Sequence, residues 1–362
     1  MLMLKKTIAA LSLLSILAAC QNDENPSQPE PKPRQDINLT RAEQEFMDKG
    51  TDFAFRFFDQ VCSTEKEKPN VFVSPLSASL CLSMITNGAT DNTLAEMQDV
   101  LGFPANTFSL DDLNNYNQKL TSALLDLDNT TQLGIANSIW IEEGFKVYDS
   151  FVDVNKKMYD AQVQELDFTS PTAKDMINQW CATQTNNCIK EVIQEIPADV
   201  RMYLINALYF KGIWKSQFDK SATGQDNFTN VDGSQQKVAM MNQTATFNYT
   251  QTDDFSIAEL PYGNEAFSMV ILLPSGDKTL DESLPSLNYE NWKQWSKNMV
   301  GKELQIKLPR FKVEYDKELE EDMIAMGMKD AFDAYKAKFA NMSGAELYIG
   351  LLQQFTYINV DE

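Results

Sequence analysis

Histidine is absent from all 362 residues. That excludes a Ser-His-Asp triad, a Cys-His dyad, His-ligated zinc and any imidazole pH switch. Basic charge is scarce: 31 Lys and Arg stand against 52 Asp and Glu, for a net charge of −21. A chain this acidic is repelled by phosphate backbones, so no nucleic-acid partner is expected. No internal repeat is present, and no linker after residue 40 separates a second domain. No acidic motif stands out from ordinary solvated surface, which leaves a carboxylate-dependent hydrolase as a weak enzymatic rival. The chain is not expected to be an enzyme, and neither a cofactor nor a metal is expected.

What is present begins with a leader. Lys5 and Lys6 precede an apolar run from Thr7 to Ala19, too short to span a bilayer. Leu17-Ala18-Ala19-Cys20 resembles the lipobox of bacterial lipoproteins, in which the cysteine becomes the first residue and is acylated. Residues 1–19 therefore read as a signal peptide, with lipidation at Cys20 and a lipid anchor as the implied membrane partner. Residues 20–40 are polar and proline-rich and read as a tether. Gln21-Asn22-Asp23-Glu24 resembles an acidic export signal for the outer face of the outer membrane, so a cell-surface location is expected. An exported location permits disulfides, and Cys181 and Cys188 could bridge a local loop; Cys81 lies in an apolar helix pattern and reads as packed.

From Arg41 the pattern turns helical. Phe46, Phe53, Phe57, Phe58 and Val61 recur at three- and four-residue steps. Ser74-Pro75 is a cap with proline at the first helical position, and small Ser77, Ala78, Ser79 and Ser83 suit a helix pressed close to another element. Thr93 to Glu96 reads as a capping box, with Gly102 as a stop. A further helix runs through Leu113, Tyr116, Leu120 and Leu124, and residues 150–159, 170–188 and 316–332 also read as helical. Strand patterns cover 133–141, 237–249, 254–262, 266–274 and 304–308. Residues 201–210 are nearly continuously apolar, which predicts a strand buried on both faces. From Glu346 to Glu362 alternation persists, and about fourteen residues of strand there would reach ~46 Å at ~3.3 Å per residue. Helices first and strands later argue for an α+β class.

Several motifs agree in order with one family. Asn70 to Ser77 (NVFVSPLS), Asn206 to Trp214 (NALYFKGIW), Leu260-Pro261-Tyr262, Leu308-Pro309, Gly327-Met328 and Phe339 to Ser343 are similar to serpin landmarks across about residues 41–362. The resemblance implies three β-sheets with eight or nine helices. It also implies inhibition of serine proteases, and in some members cysteine proteases, by insertion of a cleaved loop into the central sheet. By position it places Ser74, Ser77 and Asn206 at the shutter, where the sheet parts. Gln354 falls there too, where many members carry histidine. Trp214 falls at the breach, where insertion begins, and Glu362 at the start of the reactive-loop hinge. The bait residues and closing strands of the family are not matched, so the reactive-site bond is expected outside this sequence and the serpin domain, 41–362, is read as incomplete. This polypeptide alone is accordingly not expected to inhibit, and a separate C-terminal fragment is a partner left open. A non-inhibitory surface binding lipoprotein on the same scaffold is the alternative.

Overall fold

A computed structural model describes residues 31–230 and 232–362; Cys20, the leader and the first part of the tether lie outside them. Helix α1 (Arg41–Thr64) opens with a reciprocal cap: Thr40 accepts from the Glu43 N–H, and the Glu43 carboxylate accepts from the Thr40 N–H at 2.7 Å. Its aromatic stripe, Phe46, Phe53 and Phe57, enters the main core. Helix α2 (Pro75–Thr86) is capped by Ser74 as the sequence indicates, and α3 (Asp91–Leu101) stops at Gly102, whose φ of 85° needs no Cβ penalty. Thr93 and Glu96 do not cap α3. The helix begins earlier, and both side chains instead hold a distant segment: Glu96 accepts from the Lys329 and Asp330 N–H groups, and Thr93 from Lys338.

Helix α4 (Leu110–Asp126) leads to β1 (Gln132–Glu142), α5 (Asp149–Tyr159), β2 (Gln162–Leu166) and α6 (Ala173–Gln184). Helix α6 is shorter than the 170–188 its pattern suggests, because Asn186 and Asn187 adopt left-handed backbone, φ 48° and 60°. Then come β3 (Met202–Lys211), β4 (Gly224–Thr229), β5 (Gln235–Gln251), β6 (Phe255–Pro261), β7 (Ser268–Pro274), α7 (Leu280–Ser283), α8 (Tyr289–Lys297), β8 (Val300–Pro309), β9 (Phe311–Glu318), α9 (Glu320–Met326) and β10 (Gln353–Val360). The expected helix over 316–332 is cut to α9 alone. Residues 316–318 are drawn into β9, whose whole length is a ladder with β10.

Three sheets result among the described residues. Strands β4 to β8 form a five-stranded sheet in which β5 pairs β4, β6 and β8. Strand β1 pairs β2 in parallel and β3 antiparallel, while β10 pairs only β9. Two sequence expectations fail here for one reason. Strand β3 is only half-buried along most of its length, not buried on both faces, and β10 has eight residues, residues 346–352 running on without a ladder. Each lacks a neighbour on one side, so neither the burial nor the hydrogen bonds that alternation anticipates is complete.

Below β9 lies a mostly buried charge group. Lys317 donates to Glu65 at 2.7 Å and stands 3.6 Å from the fully buried Asp322, which also accepts from Thr64 at 2.9 Å. The bond from Lys317 holds the Glu65 carboxyl below its ordinary range, and although burial opposes it, the two carboxylates hold Lys317 above its own. The stabilisation from Glu65 is present above the ordinary glutamate pKa and is lost as pH falls through the depressed folded value; that from Lys317 is lost only as pH rises through its raised one. Lys317→Met leaves two carboxylates uncompensated. It is expected to cost about 3–5 kcal/mol in urea unfolding at pH 7 and much less near pH 3; equal loss at both pH values would contradict this account.

Candidate functional site

Between the free edges of β3 and β10 lies a cavity of about 1670 Å³. Its floor is α2. At one end of that helix, Gln354 of β10 accepts from the Ser74 N–H at 2.8 Å and donates to the Ser74 carbonyl at 2.9 Å. Seven residues on, the Cys81 thiol donates to the Leu204 carbonyl of β3 at 3.6 Å. Seven residues of helix rise ~10.5 Å, and two interstrand spacings are ~9.6 Å. Along α2 the contacts to β10 and to β3 are thus spaced by about two interstrand distances, room enough for one strand between the edges. Ser77 and Ala78, in the span between, also line the cavity and keep its floor low.

The walls have two chemistries. Along β3, Met202 and Leu204 face the main core, while Tyr203, Ile205 and Ala207 face α6, as the two-residue period of a strand requires. At mid-height the inward face turns polar. Asn206 donates to Asn137 at 2.8 Å, and Asn137 donates to the Tyr159 carbonyl at 2.7 Å. The Asn206 Oδ1 is buried with no hydrogen-bond partner. Across the gap, Thr356 donates to the Phe72 carbonyl at 2.6 Å. A guest strand would thus find apolar positions below, polar ones at the centre and an unused acceptor waiting there.

One end of the opening is closed by aromatic and ionic contacts. The Trp214 indole donates to the Asp361 carbonyl at 2.7 Å and stacks on Tyr262 at 4.5 Å. Glu362 accepts from the Arg310 guanidinium through both oxygens and from Thr223. Although burial pushes the Glu362 carboxyl up, these donors hold it below its ordinary value. The structure therefore brings Ser74, Ser77, Asn206 and Gln354 together at the centre, and places Trp214 and Glu362 at one end. It does not join Gln354 to Asn206, since the glutamine amide is used on the backbone of Ser74.

The sequence passed over Asn178 on α6. Its Oδ1 accepts from the Val192 and Ile193 N–H groups, both at 2.9 Å, and its Nδ2 donates to the Ile193 carbonyl at 2.8 Å. It thereby pins residues 188–200, which line the cavity from the α6 side; a lone asparagine in an amphipathic helix carries no signal of that duty. Asn178→Ala is expected to raise amide exchange across 189–196 about tenfold or more, since all three bonds that hold the strap at its buried Ile193 are lost. Unchanged protection there would refute the pin.

Cys62, Cys81, Cys181 and Cys188 are free thiols, so no bridge joins Cys181 to Cys188. Burial pushes Cys81 up to about 12 and Cys181 to about 11. Both stay protonated and are poor nucleophiles at neutral pH. Among the described residues no helix is long and apolar enough to cross a membrane, and no group of three or more His, Cys, Asp or Glu side chains could hold a metal ion.

A family model described as serpin (serine protease inhibitor) matches residues 48–362. The chain is 35% identical to Serpin B6 of Macaca fascicularis over 304 residues, covering 81% of this chain and 80% of that protein. It is 32% identical to an uncharacterized serpin-like protein of Methanosarcina acetivorans, covering 86% and 73%. Among solved structures it resembles the thermophilic serpin tengpin in its latent state, with TM-score 0.81, 32% identity and coverage of 91% and 87%. The native state of tengpin matches at TM-score 0.80 and 30% identity, with coverage of 92% and 84%.

Proposed function

The chain belongs to the serpin family, and on that premise we propose that it is a serine-type endopeptidase inhibitor that acts by taking a strand into the opening between β3 and β10. In this reading Ser74, Ser77, Asn206 and Gln354 form the shutter, Trp214 marks the breach, and Glu362 opens the hinge. The observation that carries it is the room for one strand between the two free edges. Filling it pairs the free N–H and C=O groups of two edges, covers apolar side chains and satisfies Asn206, so uptake is downhill. The same reading includes acylation at Cys20 and residence on the outer face of the outer membrane, supported by the Leu17 to Cys20 sequence and the acidic residues after it.

Strand uptake is separable from protease trapping and is tested with a synthetic peptide of alternating apolar and small polar residues. At a hundredfold excess over Kd, binding stabilises by about 2.7 kcal/mol, which raises Tm by about 4 °C for a domain of this length. The pattern moved by one residue turns the wrong side chains inward and should give no rise. Equal shifts from both peptides, or none from either, would overturn strand uptake. For inhibition, the native gene product recovered from cells should form an SDS-stable adduct with a serine endopeptidase. Cleavage without an adduct, with peptide uptake intact, would favour a non-inhibitory surface binding lipoprotein.

A further inference from the structure

The part of the tether next to the domain is laid against it. Thr40 caps α1, Leu39 packs on the main core, and the Glu43 carboxylate accepts from Lys119 of α4 at 2.7 Å. Eight residues before Thr40, the Lys32 ammonium donates to Asp126 at the end of α4 at 2.7 Å, and the Lys32 N–H donates to Asn129 at 2.8 Å. Residues 32–40 therefore run along the last two turns of α4, from Lys119 to Asp126. They leave the domain three residues before β1 begins. Gln132, the first residue of β1, is paired with Lys211, the last of β3. That is the end of the opening where Trp214, Asp361 and Glu362 meet.

We infer that the tether biases the orientation of the domain on the membrane, with the Trp214–Glu362 end turned toward the lipid surface. The inference rests on the acylation of Cys20 proposed above. The 12 residues from Cys20 to Lys32 reach at most ~43 Å when fully extended. The opposite end of the sheet, at Ile141 and Met202, stands a further ~30 Å away along β1 at ~3.3 Å per residue. A fully extended tether that ran back along that length would keep only ~13 Å of reach, so the short and less extended path to the bilayer belongs to the exit end. The net charge of −21 opposes flat adsorption on anionic lipid. The partner this geometry fits is an endopeptidase working at the membrane surface, because the Trp214–Glu362 end, where a strand would enter once its closing contacts part, faces the bilayer.

The test uses the acylated protein purified from membranes and reconstituted into vesicles carrying a headgroup dye. A clickable side chain replaces exposed Lys220, at the Trp214–Glu362 end, or exposed Glu143, at the far end, and carries the donor fluorophore. Energy transfer from position 220 is expected to be at least about twice that from 143, given their separation of ~30 Å along the strand direction. Lys32→Glu combined with Leu39→Ser frees eight residues of chain, and the difference should collapse. Equal transfer from both positions in the parent protein, or stronger transfer from 143, would overturn the orientation while leaving acylation standing. Recovery of the parent protein in the aqueous phase on detergent partitioning would overturn the anchor, and this inference with it.

Discussion

Replacing Arg310 by Met is expected to lower stability by about 2–4 kcal/mol and to make the end of β10 release first. Glu362 is 2% exposed, and Arg310 supplies two of its three donors. Removing the cation leaves a buried carboxylate held by Thr223 alone, a change that costs about 3–5 kcal/mol for a fully buried pair. Arg310 is 42% exposed, so solvent screens part of the interaction and the smaller range applies. The sign with pH follows from the depressed Glu362 carboxyl. Its contribution is present above the ordinary glutamate pKa and disappears as pH falls through the folded value. Urea unfolding at pH 7 should separate parent and Arg310→Met by the stated amount, and near pH 3 the two curves should approach each other. A difference that persists undiminished at pH 3 would show that the guanidinium acts by packing instead of charge. The same variant should admit the alternating peptide faster, because the contacts that tie this end of the opening are weaker.

Gln354→Ala is expected to cost about 1–3 kcal/mol, for a different reason. Gln354 bonds both the N–H and the carbonyl of Ser74; the carbonyl keeps its bond from the Ala78 N–H at 3.1 Å, so alanine orphans only the partly buried N–H, at about 1–3 kcal/mol. Those two bonds are also the link between β10 and the floor of the opening. Their loss should therefore raise the rate of peptide uptake as well as lower the urea midpoint. In a chain with no histidine, the uptake rate should stay flat between pH 5 and 8, where imidazole alone among unperturbed side chains titrates. Gln354→His should introduce a pH dependence in that window. A parent rate that already varies several-fold there would show that some other group controls the opening. A Gln354→Ala variant with unchanged stability and uptake would show that the glutamine merely occupies space.

Much of the architecture is legible in local sequence. Ser74-Pro75, the phenylalanine stripe of α1 and the stop at Gly102 are decided by groups within a few residues of one another, through caps, periodicity and backbone freedom. The runs over 237–249, 254–262 and 266–274 became β5, β6 and β7 because each strand found its neighbours in the same sheet. Local pattern failed where the partner was distant. Thr93 and Glu96 look like a cap but hold residues 329–338. Residues 316–318 look helical until β10 claims them as a strand. The ordered order of motifs from Asn70 to Ser343 indicated the family and, through it, the residues around the opening.

The sequence by itself determined the class and the absence of histidine chemistry, because composition and short-range pattern are properties of the chain alone. Only the tertiary structure decided that β3 and β10 present free edges to one cavity. The two are linked through α2, by Gln354 to Ser74 at one side and by Cys81 to Leu204 at the other. It likewise decided that Gln354 serves a backbone instead of Asn206, and that Asn178 pins a loop fourteen residues away. A hydrogen bond between residues far apart in the chain leaves no periodicity behind, so nothing in the order of amino acids announces it.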